Sequence, residues 1–194
     1  MSLQISKEVV SEGVPIFQKV LETARGGFTL DTTGLTVGKT IPGGTPVLYD
    51  EAARTIKVLK TAEVVEAAGG SATQYKVKPG SLLKVGDYVG KTVGGAAYAI
   101  TVIAPSGTDY DVITVGTTLG AMSVGDGLFQ SSATGASAAA MFLIPNGLSY
   151  QDYDVAVNQD ISVVVRGTVY ARRVPFAPTG VKTALPLIIY SQSR

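Results

Sequence analysis

The chain has 194 residues, and 16 Lys+Arg against 15 Asp+Glu leave a net charge of +1. Cysteine, histidine and tryptophan are absent, which excludes disulfides, thiolate metal sites and every Ser-His or Cys-His catalytic pair within this chain. Charged residues make up only 16% and mean hydropathy is +0.28. A surface so poor in charge suits a chain covered by copies or partners, and the neutral balance supplies no general attraction to nucleic-acid phosphates.

Residues 1–27 hold the one helical pattern. Ile16, Val20 and Ala24 share a face at helical spacing, with Phe17 and Leu21 beside it. Pro15 suits a first turn and Gly26-Gly27 a stop. A short N-terminal helix or arm is predicted, too short to stand alone. The opening "MSLQISKEVV" has no signal-peptide core, and no apolar run approaches the about 20 residues of a membrane span. A soluble chain made in a cytoplasm is expected, with no membrane span.

From Phe28 the pattern is β. "TPVLYD" and "TIKVLKTAEVVE" read as strands around the turn "EAAR", and "IPGGTPV" as a turn feeding a strand. A weak repeat follows: "LLKVGDYVG" at 82–90 matches "AMSVGDGLF" at 121–129 around a shared Val-Gly-Asp. Gly supplies a backbone angle its neighbours avoid, and Asp bonds nearby backbone. Residues 73–130 are therefore predicted to form a small inserted β module of two related halves. It interrupts a body made of residues 28–72 and 131–194. Its borders, "AAGGSA" and "SSATGASAAA", read as linkers or exposed loops. The fold class expected is mainly β, a β-sandwich or barrel body carrying that module.

The stretch "ISVVVRGTVYARRVP" at 161–175 alternates. Ile161, Val163, Val165, Gly167, Val169 and Ala171 form an apolar set. Ser162, Val164, Arg166, Thr168, Tyr170 and Arg172 form a mixed one that faces water or a partner chain. Val164, Arg166, Tyr170 and Arg172, with Ile16, Phe17 and Val20 of the N-terminal segment, are the candidate contacts with another subunit or partner.

Chemistry is sparse. "DYD" occurs twice, giving Asp109, Asp111, Asp152 and Asp154. Two carboxylates in a pair lack the converging oxygens and spacing of a calcium loop. A paired-Asp hydrolase requires all four to meet in one cleft. "GLTVGKT" at 34–40 has three residues between its glycines where a phosphate loop needs four. No cofactor or metal is expected. Tyr75, Tyr88, Tyr98, Tyr110, Tyr150 and Tyr153 leave a carbohydrate-binding module open as an alternative.

"DVAVNQDISVVVRGTVYARRVPF" and "VKTALPLIIYS" resemble the closing segment of head fibre or capsid decoration proteins of tailed bacteriophages and prophages. "GGFTLDTTGLTVGKTIPGGTPVLYDEAARTIKVLKTAEVV", "LLKVGDYVG" and "YAITVIAPSGTDYDVITV" are similar to that family's first and middle parts, so the resemblance covers roughly residues 26–190. It implies a non-catalytic virion protein on the outer capsid surface, made in the host bacterial cytoplasm. Its implied partners are the major capsid protein and further copies of itself, as a trimer. A receptor-binding fibre tip that takes a host-surface glycan is the alternative the resemblance also admits.

Overall fold

The computed structural model describes residues 15–192. The chain is mainly β. In order it forms β1 (Phe17–Thr23), β2 (Phe28–Leu30), β3 (Thr40–Ile41), β4 (Pro46–Asp50), β5 (Thr55–Val58), β6 (Thr61–Glu63), β7 (Gln74–Val77) and β8 (Tyr88–Gly90). There follow β9 (Ala97–Pro105), β10 (Asp111–Val115), β11 (Gly127–Ser131), β12 (Gly147–Ser149), β13 (Tyr153–Asp154), β14 (Asp160–Ile161) and β15 (Val163–Tyr170). The short helix α1 (Thr179–Ala184) and β16 (Ile188–Ser191) end the fold.

The body is a curled sheet that meets itself. Only Ser162 separates β14 from β15, so the two run as one strand. Its start lies on β2, and its next residues lie on β12. From there the ladder passes through β4 and β5 and returns in parallel to β2. Inside this ring pack Phe28, Ile41, Val47, Ile56, Ile161 and Val163, all fully buried. Closing the sheet leaves no open edge around this core.

The second unit is also a barrel. Its sheet runs β6-β11-β8-β9-β10-β7. The chain just beyond β6 pairs with β7: Val65 N donates to Lys76 O at 2.9 Å, and Lys78 N to Glu63 O at 2.9 Å. Tyr75 fills its centre, fully buried, its hydroxyl donating to Ala72 O at 2.8 Å and accepting from Leu119 N at 2.8 Å. A buried phenol needs such partners.

The Val-Gly-Asp repeat marks a pseudo-two-fold in this barrel. Gly86 and Gly125 both have left-handed backbones, with φ of 93° and 87°. Asp87 Oδ2 accepts from Lys84 N, and Asp126 Oδ2 accepts from Ser123 N, each at 2.9 Å. Gly86 N donates to Ile100 O while Ile100 N donates to Asp87 O; Gly125, Val64 and Asp126 repeat the pattern. Exchanging β6-β7-β8 for β9-β10-β11 maps the ring of strands onto itself. The two halves thus begin at Thr61, ahead of the expected start at 73. Strand β6 belongs to the module, although nothing in "VLKTAE" punctuates the crossing from one unit to the other.

Two expectations need correction here. Within the N-terminal segment predicted as a helix or arm, Phe17–Thr23 form strand β1, antiparallel to β15, while residues 1–14 of that prediction lie outside the described residues. Seven residues make a marginal helix, whereas β15 offers a ladder edge that pairs their backbone. The sole helix among the described residues, α1, lies instead in the tail, where no helix was predicted.

The units touch through specific plugs. Leu82 leaves the module to join the body core. Lys60, 2% exposed, donates to Gly34 O of the body at 2.6 Å and pairs with Asp87 of the module at 2.7 Å. Burial holds the Lys60 ammonium below the ordinary lysine value, against the opposing pull of Asp87.

Candidate interaction surfaces

Beyond the body barrel, β15 continues as the centre of a three-stranded wing. Strand β1 lies on one side of it and β16, parallel, on the other. One face of the wing is covered: Val164, Val169 and Ile188 pack with Val181 and Leu185 of the α1 segment. The wing still exposes Leu21, Leu187 and Ile189, which are 52%, 57% and 63% accessible. Strand β1 has no neighbour on its outer side among the described residues.

The candidate contacts do not form the single face expected of them. Glu22 pairs with Arg166 and Thr23 with Val164, so one residue of β15, Val165, is extra in the ladder. Such a bulge switches the alternation. Val163 therefore packs into the body barrel, while Val164 and Val169, an odd number of residues apart, share the cluster under α1. Val164 is fully buried and offers no surface. Arg166 is exposed opposite Glu22. Tyr170 is half-buried beneath the Arg173 guanidinium, 4.3 Å from its ring centroid. Arg172 lies past the strand end and faces a different surface.

Ile16, Phe17 and Val20 do come together. They pack partly against the α1 cluster and line an open cleft of about 1270 Å³ with Tyr150 and Asp152. Phe17 stacks on Tyr150 with ring centroids 5.9 Å apart. The "IPGGTPV" turn makes room for them. A Cβ at Gly43 would lie 2.6 Å from Ile16 Cδ1, and Gly44, at φ 78°, would meet Val174 at 2.4 Å. Asp152 Oδ1 fixes the turn by accepting from Gly43 N at 2.7 Å.

A second surface runs along the seam between the barrels. Phe176 lies against the bare backbone of Gly127, where a Cβ would come within 2.3 Å of its ring. Around Phe176 adjoin three cavities, of about 510, 220 and 590 Å³. Their walls hold five cations, Lys78, Lys91, Arg172, Arg173 and Lys182, against the carboxylates Glu63 and Asp126. Both carboxylates are taken, by Lys78 at 2.6 Å and Lys91 at 2.9 Å. The Ser123 N–H and then Lys91 hold the Asp126 carboxyl below its ordinary value. Arg173 donates to Pro15 O at 2.9 Å. Arg172, Arg173 and Lys182 have no carboxylate partner among the described residues; Lys182 sits 5.5 Å over the Tyr190 ring. The Tyr190 hydroxyl is buried without a hydrogen-bond partner there, and burial pushes it well above the ordinary phenol value. Sequence reasoning found only Arg172 of this groove, because its cations come from segments scattered along the chain.

The four aspartates stay apart. Asp111 is buried in the module and accepts from Gly80 N at 3.1 Å, while Asp154 accepts from Thr40 Oγ1 at 3.0 Å on the body. No group of three or more acidic side chains placed to hold a metal occurs among the described residues. Of the six tyrosines, Tyr75 and Tyr153 are core residues, the latter accepting from Ser162 N at 3.0 Å. Tyr98 and Tyr110 are half-buried; Tyr88 and Tyr150 are exposed. They do not make one aromatic platform. Comparison with protein-family models, with curated proteins and with solved structures finds no match to this chain.

Proposed function

We propose that the chain is a structural virion protein, a head fibre or decoration protein held on the outer surface of a tailed-phage capsid as a homo-oligomer. The observation that supports this most is the wing. Leu21 on β1, Ile189 on β16 and Leu187 in the turn just before β16 stand exposed around a strand that a closed barrel already fixes in place. Large apolar side chains on a sheet margin mark a surface that another chain covers. The arm cleft of Ile16, Phe17 and Val20 lies beside it and extends the contact. A closed cyclic arrangement satisfies such a surface without leaving it open, and a trimer is the number that the family resemblance implies. Peptide mass spectrometry of density-purified particles from the strain that encodes the chain tests the reading. Stoichiometric recovery with the major capsid protein is expected. Particles that lack it, together with a monomer by light scattering at every concentration, overturn the proposal.

A further inference from the structure

The geometry of the seam points to a site for an acidic polypeptide segment of another protein, laid along the groove around Phe176. This inference stands on the groove alone and does not rest on the virion reading. The groove's charge is concentrated: it holds five of the chain's cations and only two carboxylates, on a chain whose net charge is +1. Lys78 and Lys91 are neutralised internally by Glu63 and Asp126. Arg172, Arg173 and Lys182 keep their charge; Arg173 already donates to Pro15 O and lies over Tyr170, which leaves Arg172 and Lys182 as the groove cations with no hydrogen bond among the described residues. An Arg fork matches a carboxylate bidentately, and a lysine adds a second, less directional charge.

The walls decide what carries those carboxylates. Val174, Pro175, Phe176, Ala177 and Tyr190 line the same cavity as the two cations. A small free anion uses none of this apolar surface. A nucleic-acid strand requires a row of available cations along its backbone, and the groove has three without a carboxylate, one of which, Arg173, is already held by Pro15 O. An extended peptide that alternates acidic and apolar side chains uses both features, with successive side chains directed to opposite sides. Phe176 lines two further cavities as well, so the segment has a track rather than a single pit.

The test is fluorescence anisotropy with a short labelled peptide in which glutamate alternates with valine, titrated with the full chain. Its partners are the same peptide with glutamine for glutamate, and a single-stranded oligonucleotide of equal charge. The acidic peptide is expected to bind, and Arg172→Gln with Lys182→Gln to weaken it about tenfold or more, the scale of charge-assisted hydrogen bonds. Lys19→Gln with Lys84→Gln removes the same charge at exposed positions outside the groove and is expected to leave affinity within about twofold. Four results overturn the proposal: no binding of the acidic peptide, equal binding of the glutamine peptide, tighter binding of the oligonucleotide, or equal loss in the two double variants. All four substituted side chains are exposed, so folding is retained and the comparison stays readable.

Discussion

The pseudo-two-fold barrel contains its own control for the worth of a buried ion pair. Lys60–Asp87 and Lys91–Asp126 attach to equivalent Val-Gly-Asp turns, at 2.7 and 2.9 Å. Their environments differ: side-chain exposure is 3% and 9% for the first pair, 33% and 35% for the second. Removing one partner of a buried pair strands the other charge and costs about 3–5 kcal/mol. A solvent-exposed pair contributes about 0.2–1 kcal/mol. Lys60→Met keeps the length of the side chain and leaves Asp87 with only the Lys84 N–H. A loss near the lower end, about 3 kcal/mol, is expected, because that amide partly stabilises the carboxylate. Lys91→Met is expected to cost below about 1 kcal/mol. For a chain of this size the difference corresponds to a Tm drop of roughly 6–12 °C against at most about 4 °C. Urea unfolding followed by circular dichroism measures both. Adding Asp87→Asn to Lys60→Met removes the stranded charge and recovers part of the loss, a coupling that Asp126→Asn shows weakly with Lys91→Met. Equal losses for the two lysine variants, or strict additivity at Lys60–Asp87, refute the reasoning.

Other outcomes follow from named contacts. Gly127→Ala places a Cβ 2.6 Å from Ala62 O and 2.3 Å from Phe176; it is expected to cost about 2 kcal/mol, read in the same urea assay. Gly167→Ala drives a Cβ to 2.6 Å from Lys19 O of β1, so amide exchange in β1 accelerates while the barrel strands keep their protection. The Asp126 carboxyl is depressed in the folded chain, so its contribution is complete above the ordinary value of 3.8 and is lost as pH falls through the folded value. Asp126→Asn therefore makes the acid limb of the stability curve shallower, measured by Tm against pH. Excising residues 61–129 joins positions that are already neighbours, since Gln130 N donates to Lys60 O at 2.9 Å. The remaining body is expected to fold with reduced stability because it loses Leu82 from its core, and insoluble chain from that deletion contradicts the two-unit division.

By itself the sequence determined what local chemistry can encode. The β class was legible in the alternation of "TPVLYD" and "ISVVVRGTVY" and in glycine punctuation, and the two related halves in the repeated Val-Gly-Asp, whose turns need only a left-handed glycine and an aspartate that reaches back to the backbone. What lay outside this reach depended on partners distant in sequence. Apolar spacing in "IFQKVLETA" fits a helix or a strand, and the free edge of β15 chose the strand. Val58 to Thr61 crosses from one barrel to the other without a glycine or proline, so only the pairing of β6 with β11 sets the boundary. Val164 is buried because a bulge at Val165 reverses the pleat, and bulge position is fixed by the register against β1 rather than by β15 alone. The basic groove draws on Lys78, Lys91, Arg172 and Lys182, which no periodicity relates; tertiary closure of the two barrels around Phe176 brings them to one seam.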